Sequence, residues 1–188
     1  KKVILTVARN APVKHYELAL NAIKQLSLKR QDFMYRIIGK GTEDLQAQVN
    51  ELGLESVITI VGESPFEDVR GQYEDSTVYF QTSWIESFSK TCLEACAYGL
   101  PLIVSNVQGL SDLVAPKGAF YGKVGSTDNE LAQHLSACLD QPEEGLKNKA
   151  ILGSVTDAQV LDQHIALYER IGTKNLNEVD LLYDRKMV

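Results

Sequence analysis

The sequence predicts an α/β protein, a Rossmann-like parallel sheet of about six strands flanked by helices. Short apolar runs alternate with amphipathic stretches of helical period, as in a parallel sheet covered by helices. The strand-then-helix order repeats about five times before the chain turns wholly helical. The length, 188 residues, suits one domain with a substantial core and not two ordinary ones.

Residues 3–8 (VILTVA) read as a buried strand, and from 14 to 28 the apolar positions Leu18, Ala22, Ile23 and Leu26 fall at helical spacing. Residues 35–38 make a second strand, ended by Gly39-Lys40-Gly41. Thr42 reads as an N-cap with acidic residues behind it, opening a helix that reaches Leu52 and is closed by Gly53. The third strand is 57–61, followed by a short helix over 65–73 with Pro65 at its start. Residues 77–81 form the fourth strand and 88–98 a helix closed by Gly99-Leu100-Pro101. A fifth strand covers 102–105, with a helix over 108–114 behind it. A sixth short strand is expected at 119–122, then helices over 128–139, 142–152 and 157–171. The last stretch, 172–188, is mostly polar with an apolar patch at Leu181, Leu182 and Tyr183. It reads either as a frayed terminus or as a segment that packs on another part of the protein.

Composition narrows the function classes. Apolar residues are 44% and charged residues 23%, the balance of a soluble globular protein. A net charge of -6, with no basic run interleaved with aromatics, argues against a nucleic-acid partner. The longest apolar stretches are about six or seven residues, far short of the ~20 that span a bilayer. The chain starts directly in a strand pattern without a secretory signal, and the missing initiating Met suggests that something upstream was removed. Cys92 and Cys96 stand four apart on one predicted helix, where core packing is expected rather than a disulfide. With Cys138 the count is odd, which suggests a reducing, cytoplasmic setting.

In parallel sheets of this kind ligands bind beyond the carboxyl ends of the strands, so three post-strand loops carry the functional reading. The first strand runs into Arg9, with Lys14 five residues later at a helix start. Two cations there would suit a diphosphate, although a loop Lys or Arg is ordinarily just solvated. The second loop, Gly39-Lys40-Gly41, has some look of a phosphate-binding turn but is not G-x-G-x-x-G. The third, Ser83 to Glu94, sets Glu86 in a loop and Glu94 inside an otherwise apolar helix. A carboxylate so placed needs a polar partner, and a ribose diol or the protein backbone would each serve. Helical side chains tilt toward the N-terminus, so Glu94 leans toward a ligand above the helix start, near the free amides around Ser87 to Thr91. Trp84 and Ile85 either line the pocket or pack, and packing is the preferred reading.

The spacing Glu86-x7-Glu94, followed by Ala95 and by Tyr98-Gly99-Leu100-Pro101-Leu102-Ile103-Val104, resembles the signature of GT-B glycosyltransferases of the large retaining group called family 4. Those proteins read E-G-F-G, four residues, then E-A-M-A-x-G-x-P-V-V. Arg9 and Lys14 match the family's strand, G-R and later Lys at the opening of its C-terminal domain. Gly39-Lys40-Gly41-Thr42 matches its G-x-G-P, and Ile58 to Gly62 with Pro65 matches its V-x-F-L-G and proline loop. Val107 to Val114 follows its G-G-hydrophobic-x-E-hydrophobic-V pattern, so the likeness runs in order from about Val3 to Ile171.

The resemblance implies one half of a GT-B enzyme, with residues 1–171 binding a nucleoside-diphosphate sugar such as a UDP- or GDP-sugar and 172–188 a tail. Arg9 and Lys14 would hold the diphosphate as it leaves, and Glu86 would sit beside the transferred sugar. Glu94 and Thr91 would belong to the nucleotide site, with Glu94 on the ribose. Ser87, Phe88 and Ser89 would contact the sugar and phosphate, while Gly39, Gly41, Val61 and Ser64 would border the base. No cofactor and no metal is expected, because no Asp-x-Asp is present. An absent N-terminal half would supply the acceptor site, and any membrane contact would be made through it. This chain alone would then be inactive, and the whole enzyme would serve polysaccharide, lipopolysaccharide or glycoconjugate synthesis.

Three positions depart from the pattern. Ser87 and Ser89 replace the glycines of E-G-F-G and would be strained if those positions need a positive φ. Ala8 replaces the glycine before the Arg. Rival readings are a nucleotide-sugar epimerase of the same fold and a non-catalytic nucleotide-sugar-binding module. A phosphorylase would need a Lys-bound pyridoxal cofactor without supporting context, and a Rossmann dehydrogenase lacks its glycine fingerprint after the first strand.

Overall fold

The computed structural model describes residues 1–153. The helix expected at 157–171 and the tail 172–188 lie outside the described residues. Six strands, β1 (Lys2–Val7), β2 (Phe33–Ile38), β3 (Ile58–Gly62), β4 (Val78–Gln81), β5 (Leu102–Ser105) and β6 (Gly122–Gly125), form one parallel sheet in the order β3-β2-β1-β4-β5-β6. The helices are α1 (Tyr16–Ser27), α2 (Gln46–Leu52), α3 (Phe66–Glu74), α4 (Lys90–Ala97), α5 (Gln108–Ser111), α6 (Asp128–Asp140) and α7 (Leu146–Gly153).

Strand alternation builds two cores. Ile4, Tyr35, Ile37, Phe80 and Ile103 point to one face and pack with Ala19, Ile23 and Leu26 of α1 and Leu131 and Leu135 of α6. Their neighbours Leu5, Ile38, Tyr79, Leu102 and Val104 point to the other and meet Val69 and Tyr73 of α3, Cys92 and Cys96 of α4, and Leu110 of α5. The three thiols are free and buried. Burial pushes Cys92 up to about 12 and Cys138 to about 11, so both stay neutral packing groups at ordinary pH.

Local chemistry sets the boundaries. Gly53 closes α2 at φ 69, and Thr127 with Glu130 completes a capping box at the start of α6. Three expectations need correction. The helix expected over 88–98 begins at Lys90, because Ser89 takes the N-cap in extended conformation and accepts from the Cys92 amide. Thr42 is not an N-cap: Gly41 precedes a 3-10 turn over Thr42–Leu45, and the buried Thr42 hydroxyl donates back to the Gly39 carbonyl at 2.8 Å. The last strand lies at Gly122–Gly125 rather than 119–122, where Phe120 only bridges to Val114. Gly122 fits there because a Cβ would meet the Leu102 carbonyl oxygen at 2.2 Å, an approach invisible in the sequence pattern.

Candidate functional site

The strand order reverses between β1 and β4, which pair through Ile4↔Val78 and Leu5↔Tyr79. A parallel sheet opens its crevice at such a point, because the connections on either side run away from each other. The loops leaving β1 and β4 meet there. The Thr82 hydroxyl donates to the carbonyls of Lys14 and His15, each at 3.1 Å, and the Trp84 amide donates to the Val13 carbonyl at 3.1 Å. Val13 and Lys14 lie in the 3-10 turn Pro12–Lys14, and His15 at φ 51 turns the chain into α1.

This clamp brings Lys14 and Glu86 together. The Lys14 ammonium lies 2.7 Å from Glu86 Oε2, with the two side chains only 20% and 14% exposed. Glu86 Oε2 also receives Gln81 Nε2 at 3.0 Å. Arg9 stands exposed in the loop after β1, and among the described residues its guanidinium has no hydrogen-bond or ion-pair partner. The Asn10 amide donates to the Lys40 carbonyl at 2.8 Å and the Gly39 amide to the Gly62 carbonyl at 2.8 Å, so the loops after β1, β2 and β3 form one rim. Gly39 is dictated by that contact: at φ 150 its Cβ would stand 2.2 Å from the Ala8 carbonyl oxygen. Gly39 is thus small because the protein's own backbone crosses it. Val61 and Ser64 sit on the same rim at the end of β3, Val61 being exposed.

Glu94 lies in α4, and its Oε2 accepts the Tyr73 hydroxyl at 2.8 Å. The protein therefore supplies a partner from α3 and leaves the other carboxylate oxygen without one among the described residues. Tyr73 stacks on Tyr98, ring centroids 5.4 Å apart, which fixes the angle of that hydroxyl. Burial foremost, then the hydrogen bond to Glu94, raises the Tyr73 phenol well above its usual value, so it remains a donor.

The serines that replace glycines carry no strain. Ser89 sits at φ -93, and His15 is the only described residue other than glycine with a positive φ. Ser87 and Phe88 lie before the helix in an exposed loop, so the free amides of its first turn belong to Lys90 and Thr91. Ser87 and Phe88, with Glu86, Gln108, Gly109 and Asp112, line an open cleft of about 260 Å³. Trp84 and Ile85 do not pack inside: they are 55% and 71% exposed, and Phe88 is 56% exposed. Trp84 lies on the His15 ring with centroids 4.5 Å apart.

The site therefore joins Lys14 and Glu86 directly and the α4 N-terminus through Gln81 and Ser89, with Arg9 in the loop after β1 and Glu94 one turn further along α4. Two further residues escaped sequence reasoning. Gln81 ends an apolar strand run and faces the same side as Tyr79, so a polar side chain in a buried strand phase was the available signal. Tyr73 gave no such signal, because its hydroxyl reaches Glu94 from another helix. Among the described residues no helix is long and apolar enough to cross a membrane.

The family model "Glycosyl transferases group 1" matches residues 1–151. An uncharacterized glycosyltransferase of Haemophilus influenzae is 27% identical over 145 residues, covering 76% of this chain and 40% of that protein. The amylovoran biosynthesis glycosyltransferase AmsK of Erwinia amylovora is 30% identical over 121 residues, covering 59% of the chain and 29% of that protein. Among solved structures, Anabaena Alr3699/HepE in complex with UDP superposes with a TM-score of 0.73 at 21% identity, over 92% of this chain and 49% of that one. The same Anabaena protein has been solved in complex with UDP-glucose. The chain spans less than half the length of these relatives.

Proposed function

The chain belongs to the glycosyl transferases group 1 family, and from that premise we propose that it is the nucleotide-sugar-binding half of a retaining GT-B enzyme of family 4. The observation that carries the reading is the Lys14–Glu86 pair, held at the switch point in front of the α4 N-terminus. The UDP and UDP-glucose complexes of the Anabaena protein support a nucleoside-diphosphate sugar as the ligand class. Glu94 uses one oxygen on Tyr73 and presents the other to the ribose.

Cleaving the bond between sugar and diphosphate builds negative charge on the leaving phosphate and positive charge on the sugar. Lys14, Arg9 and the amides of Lys90 and Thr91 are fixed donors for the first charge, and Glu86 is a carboxylate for the second. Fixed charges of this kind bind the transition state more strongly than the ground state. Transfer with retention then follows by attack on the face that the diphosphate leaves, with that phosphate taking the acceptor's proton. The acceptor is held by a further domain, and the whole enzyme acts in polysaccharide or glycoconjugate synthesis in the cytoplasm. No metal is required in this scheme, since the cations of the chain neutralise the diphosphate.

The test is calorimetric titration of this chain with UDP, GDP and ADP, repeated with Glu94→Ala and Lys14→Ala. Saturable binding of one nucleotide, lost in both variants, is the expected result. Absence of binding by the unaltered chain overturns the assignment. Sugar transfer by this chain alone would overturn its division into two halves.

A further inference from the structure

Gln81 is 2% exposed at the end of β4, between Glu86 and the cap of α4. Its carboxamide is used at both ends. Nε2 donates to Glu86 Oε2 and to Ser83 Oγ, each at 3.0 Å. Oε1 accepts the Ser89 hydroxyl at 2.8 Å, and Ser89 Oγ in turn accepts the Cys92 amide at 3.2 Å. The hydrogen bonds therefore run in one direction: the Cys92 amide donates to Ser89, Ser89 to Gln81, and Gln81 to the Glu86 carboxylate. Reversing the carboxamide would set a carbonyl oxygen against a carboxylate. Bonds aligned head to tail polarise one another, and burial keeps water from substituting for any link.

We propose that Gln81 is a positioning residue that couples the Glu86 carboxylate to the N-terminus of α4 through Ser89. The inference rests on the reading of the site as a nucleotide-sugar site. In that site the sugar lies by Glu86 and the diphosphate by Lys14 and the start of α4, so Gln81 sets the distance between the groups that grip the two sides of the bond to be broken. Gln81 itself touches no ligand, because it is covered by the residues it aligns.

The signature is selectivity rather than loss of binding. Titrations use the nucleoside diphosphate that the chain binds and its glucose and mannose conjugates. Gln81→Met should weaken the tighter conjugate about tenfold, close to 1.4 kcal/mol, while the bare diphosphate changes less than about twofold on the scale of ordinary binding scatter. Ser89→Ala, which breaks the far end and is independent of whether Gln81→Met folds, should shift the same ratio in the same direction. In a Glu86→Gln background both substitutions should lose their effect on the ratio, since the group they position is gone. An equal loss for diphosphate and conjugate, or effects that simply add to Glu86→Gln, would overturn the positioning role. If the unaltered chain binds no nucleotide, the nucleotide-sugar reading fails first and the role of Gln81 falls with it, an outcome distinct from the other two.

Discussion

Lys14 and Glu86 close on each other across the reversal of strand order, ammonium to carboxylate at 2.7 Å, in a setting where both are mostly covered. A diphosphate that approaches Lys14 must therefore share it with a carboxylate already in place. Lys14→Ala is expected to lower nucleoside-diphosphate affinity at least tenfold, about 1.4 kcal/mol or more. Glu86→Gln frees the ammonium, so the bare diphosphate should bind as well or better while its sugar conjugate binds worse. Titration of both ligands against both variants checks this, and parallel losses for Glu86→Gln would refute the division of labour.

Tyr73→Phe removes the one donor to the Glu94 side chain among the described residues while preserving the ring stacked on Tyr98. The expected cost in stability is about 1–3 kcal/mol, for a hydrogen bond to a charged group. Nucleotide affinity should fall several-fold because Glu94 is then free to turn. A denaturation curve and a nucleotide titration on the same sample separate the two effects. An unchanged affinity would mean that α4 alone holds Glu94.

Four tyrosines, Tyr16, Tyr35, Tyr73 and Tyr79, have phenols raised above 10.0, first of all by burial. The sign follows from linkage. The folded state keeps these protons and the unfolded state releases them above its pKa of about 10, so stability is full below that pH and declines above it. Each group contributes a loss of up to about 1.4 kcal/mol per pH unit in that window. Phenolate absorbance should thus show these four ionising only with unfolding. Ionisation of all eight tyrosines near pH 10 with the fold intact would contradict the burial.

Gly109 tests the wall of the cleft. A Cβ there would stand 1.9 Å from the Glu86 carbonyl oxygen, and the clash is with backbone. Gly109 has no unusual φ, so Gly109→Ala acts by displacing the Glu86 loop rather than by straining α5. Loss of conjugate binding with little change in melting temperature is the expected pattern. Unaltered conjugate binding would show that the loop can yield without consequence.

The repeating strands and helices were legible because alternation and helical spacing report directly on burial, and Gly53 marked its helix end as a left-handed cap does. What stayed hidden needed a second segment. Thr42 has the chemistry of a cap, yet the preceding glycine takes the position and leaves its hydroxyl to the Gly39 carbonyl. The sixth strand starts later than its pattern predicts, because Phe120 looks more like a strand residue than Gly122, whose smallness answers to Leu102. In the site, Lys14, Glu86 and Glu94 could be read from spacing, since each lies in or beside a post-strand loop. Gln81 and Tyr73 could not be assigned roles, because their meaning lies in what they hold. Trp84 and Ile85 show a related limit: hydrophobic identity says that burial is favourable, and cannot say that a loop carries the side chain outward.

The bond from Ser89 to Gln81 also has a consequence for descent. A glycine at position 89 would take from the buried Gln81 oxygen its shortest hydrogen bond and leave it the longer approaches of Thr91, Tyr79 and Cys92, and an aliphatic residue at position 81 would leave the Ser89 hydroxyl with a weaker claim to its place. Neither change is easily inherited alone. Relatives that keep one of these residues should more often keep the other, and an alignment of the family checks it. The two residues, eight apart in sequence, are thus expected to change together, because one buried hydrogen bond joins them.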